Sequence, residues 1–343
     1  MSARIRDWGL IPGRLPCGKY NSITDVPGVK VGHLTIHDEK HHTGVTVIVP
    51  RDDIYYHRCV AACDVINGFG KTAGLVQIQE LGQLETPIAL TNTLNVGLVY
   101  DALVEYTSQI CREHGDKLKS VNPVVGECND GSLNAIRKRI IGYQETMQAI
   151  QNAADGPVPE GSEGAGAGMI CHGLKGGIGT ASRVLEIGGK TFTVGMLGLC
   201  NHGVLEELDI LGKKPGKAIK ERLDEMCKTD DSGSCILVLA TDLPLSSRQL
   251  KRVVKRASAG LARCGSYWGH GSGDVTIGFT TAYDLRRKGE QDILQVSVLR
   301  EKLLDSAFAA AAECAQECVL NALAAAETIR HCHSLSEFRG LLL

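Results

Sequence analysis

A mixed α/β fold is what the sequence predicts, and three features carry that expectation. Short apolar runs with strand-like alternation, such as VKVGHLTI and GVTVIVP, are interleaved with stretches whose apolar residues recur at i, i+3 and i+4, such as DALVEYTSQICREHG. Glycine is abundant, 40 of 343 residues against the ~7% of ordinary usage. Aromatic residues make up only 4%, so the elements are expected to pack backbone close to backbone rather than around large rings. With 43% hydrophobic and 22% charged residues the chain can bury a real core. It has no internal repeat and no long linker, which points to a single domain over residues 1–343.

Taken in order, the chain reads as turns and strands as far as residue 58, with Asp25-Val26-Pro27-Gly28 a turn ahead of the two alternating runs. From Cys59 to Gly82, CVAACDVINGFGKTAGLVQIQELG is small and apolar at helical spacing, which predicts a glycine-interrupted helix. PIALTNTLNVG reads as a buried strand running into the helix DALVEYTSQICREHG, and PVVGECNDG as a short strand and turn. SLNAIRKRIIGYQETMQAIQNAAD carries the spacing of one long helix. Residues 156–179 hold the densest glycines and predict a loop that approaches something closely. Gly188-Gly189 between alternating runs predicts a two-residue hairpin turn. The polar tip CKTDDSG precedes the strand SCILVLATDLPL. Ser246, with Gln249 three residues on, forms a capping box for a helix through about Arg263. DVTIGFTTAY is a further strand, and residues 305–331 an Ala-rich helix whose Phe308, Val319 and Leu323 are expected to face a sheet.

Composition excludes several function classes. The 37 Lys+Arg against 39 Asp+Glu give a formal charge of −2 without blocks of one sign, so neither nucleic acid nor an anionic membrane is an expected partner. Thirteen cysteines without a Cys-x-x-Cys pair, and an N-terminus without a secretory apolar segment, point to reduced thiols and a cytoplasmic location. No apolar run approaches the roughly 18 residues needed to cross a bilayer, so a soluble protein is expected. Gly164-x-Gly166 is followed by Met169 where a dinucleotide fingerprint needs glycine. Gly189-Lys190-Thr191 has Val184 where a phosphate loop needs glycine. His33, His37, His41 and His42 do not share a helical face and have no Cys pair or Glu at ligand spacing, so neither a metal nor a cofactor is expected. Neither His-Glu-x-x-His nor Gly-x-Ser-x-Gly occurs, which closes the usual metalloprotease and α/β-hydrolase routes.

What remains is Gly233-Ser234, at the junction of a polar tip and an apolar strand, with a second polar cluster, Gly271-Ser272-Gly273-Asp274, just ahead of another strand. Ser-Gly-Ser is a common loop tripeptide, but the chemistry open to it is specific. A serine hydroxyl is a poor nucleophile until a base takes its proton. If Ser234 Oγ attacks the Gly233 carbonyl, an N-to-O acyl shift and hydrolysis leave Ser234 as a new N-terminus with its own α-amine. Such an amine has a pKa near 7.7–8.0, so about a tenth is neutral at pH 7, far more than of a lysine at about 10.4. Cutting the bond would create the missing base.

The blocks RIRDWGLIPGRLPCGKYNSITDVPGVKVGH, NGFGKTAGL, TPIALTNTLNVG, PVVGECNDGSLNAI, GAGAGMICHGLKGGIGTASR, GSCILVLATDLPLSSRQLKRV and GSGDVTIGFTTA resemble, in order, those of the DmpA-type aminopeptidases. This family comprises L-aminopeptidase/D-esterases and β-peptidyl aminopeptidases, self-processing hydrolases with an N-terminal serine nucleophile. The resemblance spans nearly the whole chain. It implies a four-layer α-β-β-α sandwich, cleavage between Gly233 and Ser234 into fragments 1–233 and 234–343, assembly of several two-fragment units into a homo-oligomer, and release of N-terminal residues from short peptides, amides or esters.

Carried over by position, Ser234 matches the nucleophile, and Ser272 and Asp274 the serine and acidic pair beside it. Asn201, in CNHG, matches the asparagine that donates to the oxyanion, and Glu127, in GECND, the carboxylate that holds the substrate's ammonium group. Two positions depart from the pattern. Asn129 stands where the family usually places Tyr or Trp beside the substrate, and Lys71 where the NG-x-G block often has Glu. A polar Asn129 would suit a smaller or more polar first side chain. Two other readings accompany the aminopeptidase one. An acyltransferase of the related ornithine acetyltransferase type is one, although its nucleophile is normally threonine; a non-cleaving binding or scaffold protein on the same fold is the other.

Overall fold

The structure, a computed structural model, describes residues 3–223, 233–286 and 293–342. Its elements run β1 (Lys30–His37), β2 (His42–Val49), β3 (His57–Gly68), α1 (Leu75–Leu81), β4 (Gln83–Leu84), β5 (Ile88–Asn92), α2 (Val96–Glu113), β6 (Val124–Cys128) and α3 (Tyr143–Gln151). They continue with β7 (Ile170–Cys171), β8 (Leu174–Lys175), β9 (Gly177–Ile187), β10 (Lys190–Asn201), α4 (Gly216–Lys220), β11 (Ser234–Thr241), α5 (Ser247–Val254), α6 (Ala257–Arg263), β12 (Gly273–Arg286) and α7 (Leu304–Ala325).

Two sheets form the centre, one ordered β1-β2-β5-β6 and the other β4-β3-β12-β11-β10-β9. Alternation along each strand sends apolar side chains to both faces, and three packed cores result. On β11, Ile236, Val238 and Ala240 join Ile48, Leu90 and Val124 between the two sheets. Cys235, Leu237 and Leu239 point the other way, onto Leu250 of α5, Leu261 of α6 and Val319 of α7. Val45, Val47 and Ala89 turn outward onto Val99 and Leu103 of α2 and Ala149 of α3. The order is helices, sheet, sheet, helices, the four-layer α-β-β-α sandwich expected. In the six-stranded sheet β11 and β12 lie side by side, flanked by β3 and β10.

Most strand and hairpin expectations hold. Ile187 and Lys190 pair across a turn whose two central residues, Gly188 and Gly189, have φ of 60° and 74°, the left-handed backbone that a primed hairpin turn demands. The Ser246 capping box is present, with Ser246 N donating to Gln249 Oε1 at 3.1 Å. The tip residues 224–232 lie outside the described residues; Gly233 and Ser234 are within them.

Four elements differ. Cys59–Gly68 belongs to a strand, not a helix, and only Leu75–Leu81 of that segment is helical. A strand buried on both faces reads as a continuous apolar run, and small residues happen to mimic helical spacing. The long helix expected after Ser132 shrinks to Tyr143–Gln151. Ahead of it Arg139 is left-handed at φ 51°, and the backbone is satisfied elsewhere: Asn134 N donates to Asp130 O at 2.9 Å and Ala135 N to Lys40 O at 3.0 Å. The helix expected through Arg263 is two, α5 and α6. In α7, Val319 and Leu323 are fully buried as expected, but Phe308 is half-buried beneath the guanidinium groups of Arg252 and Arg256, 5.2 and 4.2 Å from its ring centroid.

Candidate active site

Strand register assembles the site. Ser234, the first residue of β11, pairs with Asn201, the last of antiparallel β10, and with Gly273, the first of parallel β12. Two hydrogen-bonded ladders thus bring residues 201, 234 and 272–274 to one end of the six-stranded sheet. The other sheet meets them there: Cys128, ending β6, donates from Sγ to Ser234 O at 3.3 Å and to Leu199 O at 3.6 Å, which carries its neighbour Glu127 to the same place. Burial pushes the Cys128 thiol well above its ordinary range, so it stays protonated and is no rival nucleophile.

Around the junction the hydrogen bonds are directional. Ser234 is 5% exposed, and its Oγ donates to Gly233 O at 2.7 Å. Gly273 N–H points at both atoms, 3.2 Å from Gly233 O and 3.3 Å from Ser234 Oγ. Asn201 Oδ1 accepts from Ile170 N at 2.8 Å, and Nδ2 donates to Asn129 O at 3.1 Å. Those two partners fix the orientation of the amide and leave Nδ2 a second hydrogen. The Ser272 hydroxyl is fully buried and has no protein partner among the described residues. Asp274, also fully buried, pairs in register with Cys235 and Asn67. Ser272 and Asp274 therefore bracket Gly273, the residue beside Ser234.

Glu127 is 2% exposed. One carboxylate oxygen accepts from Lys71 N at 2.8 Å and the other from the Thr93 hydroxyl. Both donors are neutral, and among the described residues no cation pairs with it. The departure at Lys71 leaves this arrangement intact because only its backbone N–H is used; its ammonium lies 4.5 Å from the Phe69 ring centroid. Asn129 is exposed, and its Oδ1 accepts from Gly131 N at 2.9 Å, so the side chain is folded into its own turn.

Several contributors were not singled out from the sequence. Asn67 donates to Gly269 O at 3.0 Å and also to Ser272 O, shaping the loop that delivers Gly273. Asp130 ties Thr43 at 2.6 Å, Asn92 at 3.1 Å and Asn134 at 3.0 Å into the turn that follows β6. Gly273, Lys71 and Ile170 act through backbone N–H groups, which every residue type but proline carries, so residue identity says little about which of them will be used. Thr93 and Asn67 lie inside blocks already recognised, TPIALTNTLNVG and NGFGKTAGL, and a polar residue ending a buried strand was the available cue.

Comparison with known proteins places this geometry. The chain is 36% identical over 347 residues to the β-peptidyl aminopeptidase BapA of Sphingosinicella microcystinivorans, covering 95% of this chain and 86% of that one. The structure superposes on a Burkholderia sp. β-aminopeptidase with a TM-score of 0.90 at 38% identity, covering 99% of this chain and 97% of that one. It superposes on the L-aminopeptidase D-Ala-esterase/amidase of Ochrobactrum anthropi, a prototype of the serine aminopeptidases with a variant of the Ntn hydrolase fold, with a TM-score of 0.87 at 36% identity, covering 99% and 98%. Fold and likeness together define a serine hydrolase of the N-terminal-nucleophile type. The chain belongs to peptidase family S58, whose profile matches residues 21–335, and it is an aminopeptidase.

Proposed function

We propose that this aminopeptidase activates itself by cutting the Gly233–Ser234 bond, and that Ser234 then serves as nucleophile with its own α-amine as base. The observation that carries the proposal is the contact of Ser234 Oγ with Gly233 O at 2.7 Å, with Gly273 N–H directed at the same carbonyl oxygen at 3.2 Å. As Oγ adds to the Gly233 carbon, negative charge develops on an oxygen that already faces a donor. The acyl group passes from nitrogen to oxygen, and water then releases Gly233 as a carboxylate. The fragments 1–233 and 234–343 stay together because β11 and β12 of the smaller lie between β3 and β10 of the larger.

In turnover, Glu127 pairs with the ammonium group of the substrate, which limits the enzyme to chain ends because an internal peptide nitrogen carries no charge. Ser234 Oγ attacks the first carbonyl while its α-amine takes the proton. Asn201 Nδ2 donates to the oxyanion. Ser272 and Asp274 orient the amine and relay the proton to the leaving group, a role that suits a Ser272 hydroxyl with no hydrogen-bond partner among the described residues. Water completes the hydrolysis of the acyl-enzyme. The serine nucleophile and the aminopeptidase relatives both favour water over an acceptor amine, and neither the acyltransferase nor the scaffold alternative draws support from them.

Short peptides, amino-acid amides and esters are the substrate class, β-peptides included, in line with the activities named for the relatives. Asn129 belongs to the substrate pocket, and its folded-back side chain suits small or polar first residues. Equal rates on bulky and small aminoacyl amides would count against that. Two-fragment units assemble into a homo-oligomer, supported by the exposed apolar run Ile293, Leu294, Val296 and Val298. A cytoplasmic location accords with the twelve described cysteines, none of which is in a disulfide. No described helix is long and apolar enough to cross a membrane.

The decisive experiment is intact mass spectrometry of wild type beside Ser234→Ala, with an assay on aminoacyl amides. Two masses for the active wild type and one for the inactive variant are expected. A single uncut mass in active wild type overturns the mechanism.

A further inference from the structure

A second cluster of chemically competent side chains lies directly beside Asn201. Cys171 ends β7, His172 occupies the tip before β8, and His202 follows Asn201. The three are 0%, 0% and 1% exposed. Neighbours in an extended strand point to opposite faces, so Cys171 and His172 would ordinarily diverge. Here His172 is left-handed at φ 48°, a backbone state that is unfavourable for a non-glycine residue and persists only where the surroundings hold it. The outcome is convergence: Cys171 Sγ and one ring nitrogen from each histidine all lie within 4.8 Å of one another.

The surroundings are built for that arrangement. His172 N donates to His202 O at 2.7 Å, tying the two segments together. His172 Nδ1 lies 3.1 Å from Val204 O. A carbonyl oxygen can only accept, so Nδ1 carries the hydrogen and the lone pair is on Nε2, the support typical of a metal-binding imidazole. Gly203, at φ +88°, leaves room for the ring: a Cβ there would come within 2.4 Å of His172 Cε1.

We propose that Cys171, His172 and His202 form a binding site for a zinc-class divalent cation. One thiolate and two neutral imidazoles are a donor set suited to Zn²⁺, with a remaining position for water. Binding displaces the Cys171 proton to solvent and leaves both histidines neutral. Metal–sulfur and metal–nitrogen bonds of about 2.3 and 2.0–2.1 Å require donor atoms roughly 3.5 Å apart, so donors that lie within 4.8 Å of one another must draw together, the most distant pair by no more than about 1.3 Å. The ion would not touch substrate. It would join the residue after Asn201 to the residue after Ile170, whose N–H holds Asn201 Oδ1 at 2.8 Å, and so acts as a positioning element for the amide. Sequence patterns miss such a site because adjacent ligands and a partner thirty residues on match no metal-binding spacing.

The test is cobalt titration of chelator-treated wild-type protein. One equivalent of Co²⁺ is expected to bind, with the visible bands of a tetrahedral site and a thiolate-to-cobalt charge-transfer band, and Zn²⁺ displaces it. Cys171→Ser loses the charge-transfer band, whereas Cys314→Ser, which removes a buried thiol of α7, keeps it. Absence of stoichiometric binding by wild type, or a band that survives in Cys171→Ser, overturns the proposal. Because the wild-type titration reads binding directly, the outcome does not depend on whether either variant folds or on how the enzyme cleaves itself.

Discussion

The amide N–H of Gly273 reaches the carbonyl oxygen of Gly233 at 3.2 Å across the start of the β11–β12 ladder. Parallel pairing of two neighbouring strands thus supplies, before any reaction, a donor for the oxygen on which processing would build charge. The same N–H lies 3.3 Å from Ser234 Oγ, so under the proposed cleavage it would stay beside that hydroxyl after Gly233 is released.

Under the proposed mechanism, replacing Ser234 by Ala would remove the attacker and, by preventing cleavage, the base. A single intact mass and a loss of activity of about 10⁴-fold or more are expected. Added external amine should not restore turnover, since the hydroxyl itself is gone.

Asn201→Ala deletes the fixed amide but leaves the nucleophile. Loss of one oxyanion donor commonly costs ~10²–10³ in kcat, and KM should change little because the charge it meets exists only in the transition state. A change confined to KM would argue that Asn201 binds ground-state substrate instead.

Glu127→Gln keeps the hydrogen bonds' shape and removes the charge. A charge-assisted contact of about 1.5–3 kcal/mol translates into a roughly 10- to 100-fold fall in kcat/KM on substrates with a free ammonium group. Measured against ester or amide analogues lacking that ammonium, the selectivity should collapse; unaltered selectivity would remove Glu127 from the recognition site.

Asn67→Ala releases the carbonyls of Gly269 and Ser272 and so loosens the loop that aims Gly273 N–H. Self-cleavage should slow by roughly tenfold, the scale of about 1.4 kcal/mol, as followed by the growth of two fragments over time. Processing at the wild-type rate would mean that the strand ladder alone holds Gly273.

Glu317 ties the N-terminal segment to α7. It accepts from Arg6 at 2.5 Å and Arg183 at 2.7 Å with no exposed side-chain surface. Burial pushes its carboxyl pKa up, but the two guanidinium groups outweigh burial and hold it below the ordinary range. A depressed folded pKa adds stability that is present above the unfolded value, about 4.3, and is lost as pH falls through the folded one. Thermal melts should therefore weaken on acidification below about pH 4. Glu317→Gln should be destabilised at pH 7 by about 3 kcal/mol or more, because a buried Arg183 loses a partner, and its acid limb should be flatter. An acid limb as steep as that of wild type would assign the transition to other carboxylates.

Local pattern was sufficient where β-branched residues alternate along a run or turn chemistry is explicit. β1, β2 and the Gly188-Gly189 hairpin were legible because alternation and paired left-handed glycines leave a mark in residue type. The helix read over Cys59–Gly82 failed because the Cys59–Cys63 part of β3 is covered on both faces, so its small side chains carry no alternation. Phe308 was placed on the sheet by helical spacing alone, which does not register that Arg252 of α5 and Arg256, between α5 and α6, stand over its ring.

At the candidate site the division is sharper. Sequence by itself nominates Ser234, Asn201, Ser272, Asp274 and Glu127 as candidates, because the ordered blocks around them are long and specific, and it marks Gly233-Ser234 as a bond whose cleavage would create a base. Their meeting was decided only in three dimensions. Residues 201, 234 and 273 become neighbours through hydrogen-bonded strand register, and Glu127 arrives from a different sheet through interlayer packing. The donors supplied by Gly273, Lys71 and Ile170 are main-chain groups common to every residue but proline, and the convergence of Cys171, His172 and His202 depends on one left-handed backbone angle. Side-chain chemistry is written residue by residue, whereas proximity and the direction of a peptide N–H are properties of the folded chain.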